Sequence, residues 1–376
     1  MLGCLIGALL SGACSSAGSR LEGSIAYSFE GDIYVGDLAS GTTTRIVGGP
    51  DEDINPIFSP DGTQIAFVRG TPITGPGSLM VVNPDGSHLR VVVPENFTGA
   101  TGGEHGPGPF AWTPDGSALI VEIDSPPLSM PHHDGELTMF DVATGEPRLL
   151  VPPLIDSIGG IYFNPSAQVA PMFRPPLGDL ILNPRGTWLE VYDADLALVR
   201  QLEVDPRLRR VWGTTWSPDG ESILTSGEPE RPSTGGRVFG ELFVIDPDTS
   251  RILHSLGQAN WGIWSPDSTR IAFEDLGTES DPPSEMRITV FDLATGTTRI
   301  LESSISPLKR GARVLTITSN VDHEWYYEGV SWSPDGNSLL VLTDHFTRPV
   351  VIDVATDTAQ ELPWLTDSFP SWQPTP

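Results

Sequence analysis

Beyond residue 14 the chain contains no cysteine, which excludes disulfide staples, thiol nucleophiles and cysteine metal sites from nearly all of its length. Lysine is almost as scarce: Lys309 stands alone, and 21 basic residues face 49 acidic ones for a formal charge of −28. A surface of that sign repels phosphates and so excludes nucleic acid and anionic lipid headgroups as partners. Helical patterns are hard to find, because 40 glycines and 36 prolines divide the 376 residues into short segments. Signatures of chemistry are missing too. There is no G-x-S-x-G nucleophile elbow, H-E-x-x-H zinc helix, EF-hand loop or P-loop. "GPGPFA" (106–111) fits a dinucleotide fingerprint only superficially, since its prolines and the strand that follows rule out a phosphate-cradling helix.

What the chain does contain is a repeat. Aromatic–x–Pro occurs at Phe58–Pro60, Trp112–Pro114, Phe163–Pro165, Trp216–Pro218, Trp264–Pro266, Trp332–Pro334 and Trp372–Pro374. Five copies continue as Asp–Gly or Asp–Ser, whereas "FNPSA" and "WQPTP" are degraded. A second phrase runs in step, an apolar alternating strand ending in an acidic turn, as in "IYVGDLASG", "LTMFDVATG", "WLEVYDADL" and "ITVFDLATG". Short apolar runs lie between the phrases and after them, so each unit reads as four strands joined by turns. Units of about fifty residues with this content predict an all-β fold, a β-propeller of seven four-stranded blades. The first unit lacks the aromatic–x–Pro strand and the last aromatic–x–Pro has no strand after it. Pairing of the C-terminal "FPSWQ" into the first blade would balance both and close the ring without a free edge. The aromatic is expected to pack between neighbouring blades, while Pro, Asp and Gly make the turn.

"FSPDGTQIAFVR", "WSPDGESIL" and "WSPDSTRIAFED", each followed by a phrase such as "IYVGD" or "LFVID", resemble the repeats of TolB-type β-propeller proteins. Related repeats occur in the propeller domains of prolyl-oligopeptidase relatives. The resemblance spans residues 23–376, read as a single domain after a leader at 1–22. It implies a partner-docking scaffold of the cell envelope. TolB-type propellers are typically six-bladed, so six is the alternative count, with the unit at 152–204 as the one to lose. The catalytic α/β-hydrolase domain of the peptidase relatives has no counterpart in this chain.

The leader reads as an export signal: an apolar run at 2–10, then "SGAC" and a polar stretch. The run is too short to span a bilayer. Cys14 after small residues resembles the lipidation site of a bacterial lipoprotein, although Ser11 stands where Leu is usual and no basic residue precedes the run. The expectation is an extracytoplasmic monomer that meets the membrane only through this anchor.

In a four-stranded blade, the loops between second and third strands share a face with the connections between blades. The Pro–Asp–Gly turns occupy the other face. Five of the seven histidines map to the first face: His105, His132, His133, His323 and His345. With carboxylates beside them they are candidate ligands for a divalent metal, although no cofactor is required by any motif. The weightier alternative is that polar residues simply collect in long exposed loops. Trp325, Tyr326 and Tyr327 in "HEWYYEG" could stack on a sugar or grip a peptide, and Arg69 and Glu274 add charge to the same face. The expected function is therefore a non-enzymatic protein- or peptide-binding scaffold. A carbohydrate- or peptide-active enzyme, with or without a metal, is the alternative.

Overall fold

The computed structural model describes residues 21–70, 77–99, 107–123, 136–151, 180–182, 188–193, 197–205, 208–229, 240–259, 262–275, 288–304, 330–343 and 348–374. Each aromatic–x–Pro–Asp–Gly phrase builds the first hairpin of a sheet. In the first complete copy, β4 (Asp53–Phe58) turns into β5 (Ile65–Gly70) through "SPDGTQ". The Asp61 carboxylate accepts hydrogen bonds from Ser59 Oγ at 2.6 Å and from the Thr63 amide at 3.0 Å, and Gly62 takes a φ of 69°. Partial burial pushes the Asp61 carboxyl up, but these hydrogen bonds outweigh it and hold the group below its usual range. The "SPDST" copy keeps the same backbone with Ser268 at a φ of 59°, so the turn geometry survives loss of the glycine.

From that hairpin the chain meanders outward through β6 (Gly77–Val82) and β7 (Arg90–Val93). Four-stranded sheets of the same kind run from β8 (Pro107–Trp112) to β11 (Pro147–Val151) and from β15 (Leu208–Trp216) to β18 (Ile252–Gln258). Two more run from β19 (Gly262–Trp264) to β22 (Thr297–Leu301) and from β23 (Val330–Trp332) to β26 (Thr358–Glu361). A further sheet joins both ends of the chain. Its order is β27 (Ser371–Trp372), β1 (Ser24–Phe29), β2 (Asp32–Asp37) and β3 (Thr43–Val47), with Trp372 opposite Ile25. The closing strand is thus the C-terminal one, as the repeat offset implies.

The expectation of seven four-stranded blades is corrected. Six four-stranded blades are present, the alternative count, and the unit at 152–204 contributes only a sheet of three strands among the described residues, β12 (Leu180–Leu182), β13 (Trp188–Tyr192) and β14 (Leu198–Glu203). This is the unit whose turn phrase is degraded to "FNPSA", so the local instruction for the first hairpin is weakest there. Leu189, Val191 and Leu202 of this sheet pack in one cluster with Ala111 and Ile120 on one side and Val211 and Trp216 on the other.

Apolar clusters seal the remaining junctions around the ring, including the one where Leu340 and Val351 meet Ile25 and Tyr27. The repeated tryptophan does more than fill space. Trp112 is fully buried and its Nε1 donates to the Ile57 carbonyl of the preceding sheet at 3.1 Å; Trp332 repeats the bond to Ile263 at 3.2 Å. A second device works at the outer strands. Arg299 on β22 donates to the Val354 carbonyl of the next sheet at 2.7 Å, and Arg90 on β7 reaches Val142 in the same way. Gly86, with a φ of 82°, lies where an added Cβ would be 2.8 Å from the Ile46 carbonyl. Close approach of this turn to the neighbouring outer strand therefore requires glycine.

Candidate functional site

Strand direction sorts the conspicuous residues onto two faces. On one lie the Pro–Asp–Gly turns and the "DxATG" turns, whose aspartates are committed to their own backbone. Asp141, for example, accepts from the Thr144 amide at 2.8 Å and from its hydroxyl at 2.9 Å, and those bonds lower its pKa. These carboxylates hold turns.

The opposite, loop face carries the ends of the second strands. Arg69 comes from the end of β5, directly across from Asp53 at the start of β4. Its Nε and Nη2 donate to the two Asp53 oxygens at 2.7 and 2.9 Å, a bidentate pair. Asp53 has a side-chain exposure of 1%, Arg69 of 26%, and Asp51 stands 3.9 Å from the guanidinium. The Asp53 amide donates to the Gly31 carbonyl of the preceding sheet at 2.9 Å, and the guanidinium lies 5.8 Å from the Phe67 ring centroid. Arg69 is therefore a fixed corner of the face. Its partner on β4 is hidden in sequence, where "PDEDINP" reads as an acidic loop; the signal is the register that places the two residues opposite each other.

Glu274 ends β20 (Arg270–Glu274), on a separate sheet across the ring from Arg69. It pairs in register with Ile288 of β21 (Ile288–Asp292) and, by strand alternation, shares a side with Ala272. Ala272 and Ile288 belong to the cluster shared with β23–β26, so Glu274 lies at the loop-face end of that junction. Its Oε2 is buried with no hydrogen-bond partner among the described residues. Burial, and secondarily the negative charge of Asp275, push its carboxyl up to about 8. At neutral pH it is a protonated acid, able to donate.

The other sequence-derived candidates lie outside the described residues: Trp325, Tyr326 and Tyr327, the histidines His105, His132, His133, His323 and His345, and Cys14. Among the described residues no group of three metal-ligating side chains converges.

A ring of radial antiparallel sheets, clasped between neighbours and closed by its own C-terminal strand, defines a β-propeller. Among the described residues its loop face carries the bidentate Arg69–Asp53 pair, a further ion pair from Arg45 to Asp32, and the half-buried acid Glu274. No family model matches the chain, nor does any curated protein. Among solved structures, oligogalacturonate lyase from Vibrio parahaemolyticus is similar, with a TM-score of 0.59 at 14% identity over 87% of this chain and 84% of that one. An oligogalacturonate lyase in complex with manganese gives 0.55 at 18% identity, covering 85% and 81%. TolB from Acinetobacter baumannii gives 0.48 at 16% identity, covering 94% and 82%. At these identities the likeness to the lyases is one of fold, and the fold is the expected propeller.

Proposed function

We propose that this chain is an exported, monomeric, non-enzymatic β-propeller, lipid-anchored at Cys14, that docks a basic protein or peptide on its loop face. The observation that carries the reading is electrostatic. The loop face presents exposed Asp51 and Glu52 beside the fixed Arg69–Asp53 corner, on a chain with a formal charge of −28. Such a field steers and retains cationic partners. Trp325, Tyr326 and Tyr327 would supply the apolar contact that charge alone does not, because aromatic anchors dominate interface energetics.

The test is capture of a partner from the native envelope by the purified chain. The double variant Trp325→Ala with Tyr326→Ala is expected to weaken that capture by about tenfold or more and leave the thermal transition in place. Undiminished capture would remove the aromatics from the site.

The enzymatic alternative draws support from one feature, the protonated Glu274 on the same face, since a neutral buried carboxyl is what a general acid requires. In that reading His132 and His133, with His105, His323 and His345, would hold a divalent metal. A stoichiometric metal in the purified protein, lost on changing His132 and His133 to alanine, would favour the enzyme over the scaffold.

A further inference from the structure

The sheet of three described strands, β12–β14, presents residues that the proposed docking site does not use. Its middle strand β13 sends Leu189 and Val191 into the core, and alternation places Trp188 and Glu190 on the other side; past an irregularity after Val191, the Tyr192 ring packs against that core while its hydroxyl reaches Glu190. On β14, Glu203 lies opposite Trp188 and Gln201 opposite Glu190. Trp188 is 40% exposed, an unusual position for the most costly side chain to leave in water.

The polar groups around it are already ordered. Tyr192 donates its hydroxyl to Glu190 Oε2 at 2.5 Å, and Gln201 Nε2 donates to Glu190 Oε1 at 2.9 Å. Burial, with the Glu190 hydrogen bond next, pushes the Tyr192 phenol up to about 12, so it remains a donor at any physiological pH. Each Glu190 oxygen keeps a further lone pair, and Gln201 keeps its carbonyl and a second N–H. Same-side residues on a strand are about 7 Å apart. An exposed indole plane thus stands one such step from a preset array of acceptors and a donor.

We propose that this Trp188 face binds an uncharged oligosaccharide, one pyranose ring stacking on the indole and the next giving its hydroxyls to Glu190 and Gln201. A pyranose offers both an apolar C–H face and a fan of hydroxyls, and this surface offers the complement of each. Glu190 and Glu203 flank the indole and repel carboxylated sugars, which sets the selection. Trp188 starts β13 at the loop-face end of its sheet, but the assignment uses none of the residues on which the docking reading rests.

Titration of the intact chain with cellohexaose, N-acetylchitohexaose and trigalacturonate, read by calorimetry, tests it. At least one uncharged hexamer is expected to bind in the micromolar-to-millimolar range and trigalacturonate not to bind. Trp188→Ala should weaken the interaction by about tenfold, Trp188→Phe by less, and neither should move the thermal midpoint appreciably. Failure of both uncharged sugars to bind at millimolar concentration would overturn the proposal. So would equal binding of trigalacturonate, or an affinity indifferent to Trp188→Ala.

Discussion

Truncation after Asp367 is expected to lower the thermal midpoint by roughly 10 °C or more, or to prevent folding altogether. The segment removed contains β27, whose Trp372 is 4% exposed. Loss of a buried tryptophan alone costs about 3–5 kcal/mol. The deletion also removes the bond from the Phe58 amide to Ser371 Oγ at 3.0 Å, and those from the Gln373 amide and side chain to Ser24 and Gly62 at 2.8 and 3.1 Å. Each is worth about 1 kcal/mol. β1 would then present an unpaired edge, inviting association between chains. Circular dichroism melting with light scattering reads both effects, and Trp372→Ala separates lost packing from lost pairing. A truncated chain that melts where the full chain does would show that the ring does not depend on this strand.

Glu274→Gln is expected to stabilise the protein at alkaline pH and to leave it little changed in acid. The native carboxyl titrates near 8, above its ordinary 4.5, so the folded chain holds a proton that the unfolded chain releases. Stability contributed by this group therefore falls as pH rises from about 4.5 to about 8 and is flat above that. Moving a titration midpoint by one pH unit is worth about 1.4 kcal/mol, so the gap between variant and wild type should open from near zero at pH 4 to about 2–4 kcal/mol at pH 9. Urea midpoints across that range measure it directly. Parallel curves for the two proteins would mean that Glu274 is hydrated in the native state.

The parts of the fold legible in sequence are those with a local cause. The aromatic–x–Pro–Asp–Gly turn is readable because Asp61 bonds within two residues and Gly62 needs positive φ, and it stays readable at Ser268. Closure is legible from the offset of the repeats, since Trp372 supplies the strand that Ser24–Phe29 lacks. Contacts between distant residues leave no such trace. Ser28 Oγ donates to Asp367 and lies 2.7 Å from Ser368 Oγ, a latch across the two chain ends that no spacing announces. The Asp53–Arg69 pair belongs to the same category, and so does the Arg299 clasp, whose acceptor is a carbonyl 55 residues away. The unit at 152–204, which has three strands among the described residues, reads in sequence as a four-stranded blade because its second phrase, "WLEVYDADL", is intact while its first is not.

The conspicuous turn motif also points away from the candidate site. Its carboxylates are spent on their own loops, and the groups with spare chemistry, Glu274 and the acidic corner at Asp51–Asp53, lie at the other ends of the strands. Hydrogen exchange on the complex with the captured partner tests this division. Slowed exchange should be confined to the loop-face strand ends, Asp51–Asp53, Arg69–Gly70 and Glu274–Asp275. Protection at the turn face instead, over Ser59–Gln64 and Thr113–Ser117, would contradict the account.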